Sequence, residues 1–131
     1  MLQKWSNRVG GLLLAASLLS GCLMAVGAMV GVGAYQWMEG TMTKDYPRTM
    51  EPTYHACVEA CKTMKLTINK QSYSPTTSSI VATAPDGTNV YIDLIARPND
   101  ITTVKVRFGL LGDKDQSAYF HRNVMKNLGI Q

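Results

Sequence analysis

The distribution of apolar and polar positions divides the chain in two. From Val9 to Ala34 no side chain ionises except the thiol of Cys22, whereas from Glu39 onward charged and apolar residues interleave. In the second part, helical spacing appears twice. Tyr54, Cys57, Val58, Cys61 and Met64 recur on one face of a helix predicted over about Glu51 to Met64, with His55, Glu59 and Lys62 opposite and Pro52 in the first turn. Phe120, Val124 and Leu128, with Ala118 and Met125 beside them, mark a last helix over about Asp115 to Leu128, ended by Gly129 and leaving His121 toward solvent.

The remaining segments read as strands. Tyr35 to Tyr46 is rich in Thr, Tyr, Trp and Met and predicts one strand. Leu66–Ser72, Ser78–Ala84, Asn89–Ile95 and Ile101–Phe108 alternate apolar with polar positions. Pro85-Asp86-Gly87-Thr88 is a hairpin signal, and Arg97-Pro98-Asn99-Asp100 is a second turn. The expected order is β-α-β-β-β-β-α, an α+β domain in which two helices cover one face of an antiparallel sheet.

The uncharged first part carries a targeting signal. Lys4 and Arg8 form a basic leader, Val9–Leu18 an apolar core of about ten residues, and Leu19-Ser20-Gly21-Cys22 a lipobox. The small residues Ser20 and Gly21, with Leu19, suit a peptidase site, and the Cys22 thiol is the nucleophile that accepts a diacylglyceryl group before cleavage. Residues 1–21 are thus expected to be a cleaved signal peptide, 22–34 a lipidated cysteine with a Gly/Ala-rich apolar tether, and 35–131 a periplasmic domain. Leu23 after the cysteine is not an inner-membrane retention signal, so the outer membrane, facing the periplasm, is the expected address. The apolar run continues to Ala34, about twenty-six residues, long enough for the alternative of an uncleaved inner-membrane signal anchor. Both readings export the domain, because Lys4 and Arg8 stay cytoplasmic. Gly27 and Gly31 form a GxxxG pair that would admit a helix partner, whereas three glycines at 27, 31 and 33 favour a non-helical tether in water.

Charge then changes its meaning. The full chain has 13 basic and 9 acidic residues, a formal +4. Cleavage removes Lys4 and Arg8 and leaves a net of +2, with no basic cluster interleaved with aromatics, so a nucleic-acid partner is not expected. The expected partners are the membrane, through the lipid, and another envelope component.

A lipobox, a Gly/Ala-rich stretch, Gly33-Ala34-Tyr35, Gly40 and Tyr46-Pro47 are joined by Asp86-Gly87-Thr88, Thr103-Val104-Lys105-Val106-Arg107 and Gly109 with Gly112-Asp113. Together these resemble a family of short bacterial lipoproteins known only as a domain of unknown function. The resemblance implies the α+β fold and the anchor, and it brings no activity or functional residue. The pair Cys57 and Cys61 has no counterpart in it.

Cys57 and Cys61, four apart on one helix face, admit three readings: buried free thiols, a strained or redox-active disulfide in an oxidising compartment, or part of a metal site. His55 lies on the other side of the helix, so a metal site lacks ligands there. No catalytic set emerges: there is no nucleophile elbow beside His55 or His121, Asp86 and Asp100 sit in turns, and Asp113 or Asp115 suits a helix cap. No enzyme activity, metal or cofactor is expected. Thr67, Asn69, Tyr91, Asp93, Lys105 and Arg107 share the polar sheet face, either as a binding surface or simply as a solvated one. The expected role is a non-enzymatic interaction protein, the alternative a small-molecule or lipid-binding module.

Overall fold

The chain divides into two units after Ala34, and the computed structural model describes residues 34–130. Residues 1–33, which carry the expected signal peptide, Cys22 and nearly all of the tether, lie outside the described residues. The strands are β1 (Gln36–Met38), β2 (Thr41–Tyr46), β3 (Thr67–Ser72), β4 (Thr77–Thr83), β5 (Asn89–Arg97) and β6 (Ile101–Phe108). The helices are α1 (Met50–Thr63), between β2 and β3, and α2 (Lys114–Asn127), after β6. All six strands join one antiparallel sheet in the order β1-β2-β6-β5-β4-β3.

Alternation produces the layering. Across the sheet, Met42, Val106, Ile92 and Ile80 stand in one cross-strand row, and Lys44, Val104, Leu94 and Ser78 in the next. All eight point inward and are buried. Each fully buried Val, Ile or Leu contributes about 1.5–3 kcal/mol, so these rows hold the helices to one face. α1 lies against β3–β6 and α2 against β2 and β6, and the helices touch each other. Tyr54, Cys57 and Cys61 of α1 and Phe120 and Val124 of α2 enter the core, while Val58, Met64, Ala118, Met125 and Leu128 pack half-buried around it.

Both helices stop by the same device. After α1, Leu66 N donates to Cys61 O and Lys65 N to Lys62 O; after α2, Ile130 N donates to Met125 O and Gly129 N to Lys126 O. The left-handed position is Gly129 in the second case but Lys65, at φ 58°, in the first. The sheet edges are blunted. β1 has only three residues, and on β3 Asn69 is an extra, bulged residue followed by Lys70.

One expected element is corrected. Tyr35–Tyr46 is not a single strand but a hairpin, with Met38 opposite Thr41 and a two-residue turn at Glu39-Gly40. Both turn residues have positive φ, 52° and 83°, the geometry whose twist suits a tight hairpin. The order is therefore β-β-α-β-β-β-β-α.

Gly40 has a second duty. A Cβ on it would stand 2.6 Å from Leu111 O, and a Cβ on Gly112 would collide with the backbone of Gly40. The β1–β2 turn and the β6–α2 turn thus touch backbone to backbone. Gly112→Ala should lose on the order of 3 kcal/mol in urea unfolding, because clash and positive φ add. Gly87→Ala, at φ +91° in open space, should lose only about 1 kcal/mol.

Candidate functional site

Chemistry-bearing side chains gather beneath β2 rather than on the exposed face. Inward alternation along β2 aims Lys44 and Tyr46 at α2, where His121 is fully buried. His121 Nε2 lies 3.0 Å from Met42 O and Nδ1 lies 2.7 Å from Tyr46 Oη. A carbonyl only accepts, so Nε2 carries the proton; Nδ1 then accepts from the Tyr46 hydroxyl. The ring is a neutral imidazole with both nitrogens engaged. Burial, the dominant cause, and the nearby Lys44 charge lower its pKa to about 4 against the opposing pull of Met42 O. Burial likewise drives the Tyr46 hydroxyl far above its usual range.

Lys44, only 2% exposed, completes the cluster. Its ammonium lies 4.8 Å from the centre of the Tyr35 ring and 5.7 Å from that of Tyr46. Burial lowers the Lys44 pKa and the Asp45 carboxylate opposes this. Tyr35, the first residue of the domain, donates to Met125 Sδ at 3.4 Å and tilts against His121 at 5.5 Å. The cluster binds the start of the domain and α2 to β2. A histidine with both nitrogens committed, beside a Tyr46 phenol that burial keeps protonated, has no lone pair or proton free for an incoming substrate.

Here the expectation for His121 is overturned. It was read as solvent-facing, and it is core. Positions 117, 121, 124 and 128 follow helical spacing, so the stripe extended to His121 once Ser117, also buried, was included. Lys44 had its own signal, the parity it shares with Met42 and Tyr46. His55 is exposed, as read, and stacks edge-on against Tyr54 at 5.9 Å. The two histidines sit on different helices in different settings.

Cys57 and Cys61 are free and buried in the structure. Burial raises the Cys57 thiol well above its ordinary value, with Cys61 adding to it, and pushes Cys61 up to about 12. Such thiols are poor nucleophiles. Among the described residues no group of three or more His, Cys, Asp and Glu side chains is placed to hold a metal ion. Leu19, Ser20, Gly21 and Cys22 lie outside the described residues. The turn carboxylates are spent locally: Asp86 accepts from Thr88 N at 2.9 Å, which lowers its pKa, and Asp113 caps α2 by accepting from Gln116 N at 3.0 Å.

Two surfaces stay open. On the outer sheet face Tyr91 pairs with Arg107 and Asp93 with Lys105. The Arg107 guanidinium lies 5.4 Å from the Tyr91 ring centre, while Asn69 donates to Thr83 Oγ1 at the sheet edge. Beside them Arg97 donates to the Thr103 hydroxyl, which donates to Asp45. The Tyr91–Arg107, Asn69–Thr83 and Arg97–Thr103–Asp45 contacts tie part of this face together. At one end of the domain a groove of about 670 Å³ opens between the helices and the sheet. Met64, Leu66, Phe108, Leu111 and Tyr119 form its apolar walls, and Asp86, Asp113 and Gln116 its polar rim.

Two measurements probe the buried groups. The unfolded state binds a proton on His121 below about 6.5 while the folded state resists until about 4. Stability is therefore complete above pH 6.5 and falls by about 3 kcal/mol as the pH drops to 4. His121→Gln, which keeps a donor for Met42 O, should flatten that slope in urea titrations while lowering stability at pH 7. Separately, thiol reagents should label Cys57 and Cys61 only after denaturation, and reduction should leave the mass of the native domain unchanged.

Among curated proteins no sequence matches this chain. The order and placement of its elements accompany a sequence match over residues 11–127, nearly the whole chain, to one family of proteins of unknown function. The chain belongs to the DUF3568 family.

Proposed function

We propose that this protein is an exported lipoprotein, anchored by acyl chains on Cys22, whose domain contacts another envelope component and performs no catalysis. The observation that carries the reading is Leu19-Ser20-Gly21-Cys22, set directly behind the uncharged stretch Val9–Leu18 and the basic residues Lys4 and Arg8. The outer membrane is the proposed address, from Leu23, with the domain in the periplasm; an uncleaved inner-membrane anchor is the competing arrangement. The non-catalytic part draws support from His121 and Tyr46, whose polar atoms serve packing. The buried state of Cys57 and Cys61 suits an oxidising compartment, where accessible thiols would be lost to oxidation.

The groove favours a second reading. Its volume of about 670 Å³ falls within the range of small-molecule sites, and its apolar walls suit a lipid or other apolar ligand. A bound small molecule released on denaturing the native protein would support this reading over the first.

Mass spectrometry of the protein from envelopes tests the anchor. The mature N-terminus should be Cys22 carrying acyl groups, and Cys22→Ala should leave the chain uncleaved and unlabelled by radioactive fatty acid. A mature chain beginning at Met1 without lipid overturns the proposal.

A further inference from the structure

The turn between β6 and α2 raises a question that the core does not answer. Leu110 and Leu111 are 88% and 92% exposed, side by side at the tip of a turn bounded by Gly109 and Gly112. This is no loose loop. Gly109 N donates to Asn89 O at 2.7 Å on one side, Asp113 caps α2 on the other, and between them Gly112 and Leu111 rest on the backbone of Gly40. Met38, 71% exposed, ends β1 beside that contact. A single exposed leucine needs no account, but an apolar tip held rigidly outward does.

We propose that the Leu110–Leu111 turn inserts into the surface of a phospholipid bilayer, a second membrane contact that rests on the lipid-anchor reading above. Chain length makes this possible. The twelve residues 23–34 span at most about 43 Å whatever their conformation, and the five steps from Tyr35 to the turn at Gly40 add at most roughly 17 Å. A tip on such a tether stays within reach of the bilayer that holds Cys22. Burial of two leucines supports only roughly millimolar binding, too weak to recruit a free protein. It matches the millimolar effective concentration that a short tether supplies. Charge identifies the kind of contact. Around the tip and its groove Glu39, Asp86, Asp93, Asp113 and Asp115 stand against Lys65, Lys105, Arg107 and Lys114, so no net basic patch forms there. The contact is apolar, not an attraction of bases to anionic headgroups.

The test uses lipidated full-length protein purified from envelopes and reconstituted into phosphatidylcholine vesicles with brominated acyl chains, which quench tryptophan on contact. Leu111→Trp is compared with Tyr73→Trp, an exposed site beyond the far end of β3, and both with the parent, whose Trp37 sets the background. Flotation with the vesicles reports the anchor separately. The emission added at position 111 should be quenched at least twofold, that at 73 left nearly unchanged, and salt should alter neither. Flotation without quenching at 111 overturns the insertion and leaves the anchor standing. Equal quenching at both sites, or quenching that requires anionic lipid and vanishes in salt, overturns it as well. Failure to float removes the anchor reading and the insertion with it.

Discussion

The bond pair from His121 to β2 is the constraint on which much of this domain depends. Burial keeps the imidazole neutral, and a neutral ring between a carbonyl and a phenol has one workable tautomer, so the two bonds orient α2 against β2. Met42, whose carbonyl receives Nε2, belongs to the strand between β1 and β6. The bond thus joins α2 to the interior of the sheet and not to a frayed edge. Tyr46, Lys44 and Tyr35 close around the same ring, and through Tyr35 the start of the domain is held as well. In a low-dielectric core, a polar network of this kind is safe only when its hydrogen-bonding groups are matched. The neutral ring and protonated phenol meet that condition for the His121–Tyr46 pair.

Most of the architecture was legible in the sequence because the sheet is covered on one side. Val90, Ile92, Leu94 and Val104, Val106, Phe108 alternate with polar residues, and a one-sided sheet leaves no other way to satisfy that alternation. The hairpin at Asp86-Gly87 carries its own turn chemistry. The β1–β2 hairpin was hidden for a physical reason: its turn places Glu39, not Asn or Asp, at the first left-handed position, and the flanking residues are β-formers throughout. What holds Glu39 there is the later contact of Gly40 with Leu111 and Gly112, about seventy residues away in sequence. No local pattern reports a contact that distant.

The candidate site was less legible than the fold. Histidine and lysine are read as surface residues by default, and His121 and Lys44 contradict this only because each finds partners on another element. The helical stripe through Ser117 and Val124 contained His121, and the parity of β2 contained Lys44. Periodicity marked both correctly where residue type misled. For Cys57 and Cys61 the spacing named the face, and the structure encloses both in the core.

Interior and exterior therefore divide the work. His121, Lys44, Cys57 and Cys61 are drawn inside, where desolvation shifts their titration and their polar contacts help specify the fold. The exterior offers a polar sheet face and an apolar end. Exposed leucines are a liability for a freely diffusing protein, since they invite aggregation. On the proposed lipid anchor the same leucines would have a nearby apolar phase, and weak contacts would count because the tether would already have met most of the entropic cost of encounter. The close packing of Gly40 on Gly112 bears on this directly. A flexible apolar loop could fold back over its own groove, whereas a turn wedged by backbone contact leaves Leu110 and Leu111 on the groove's border and exposed. Rigidity there fixes the two turns against each other, and it also presents the leucines, which is what an interaction surface requires.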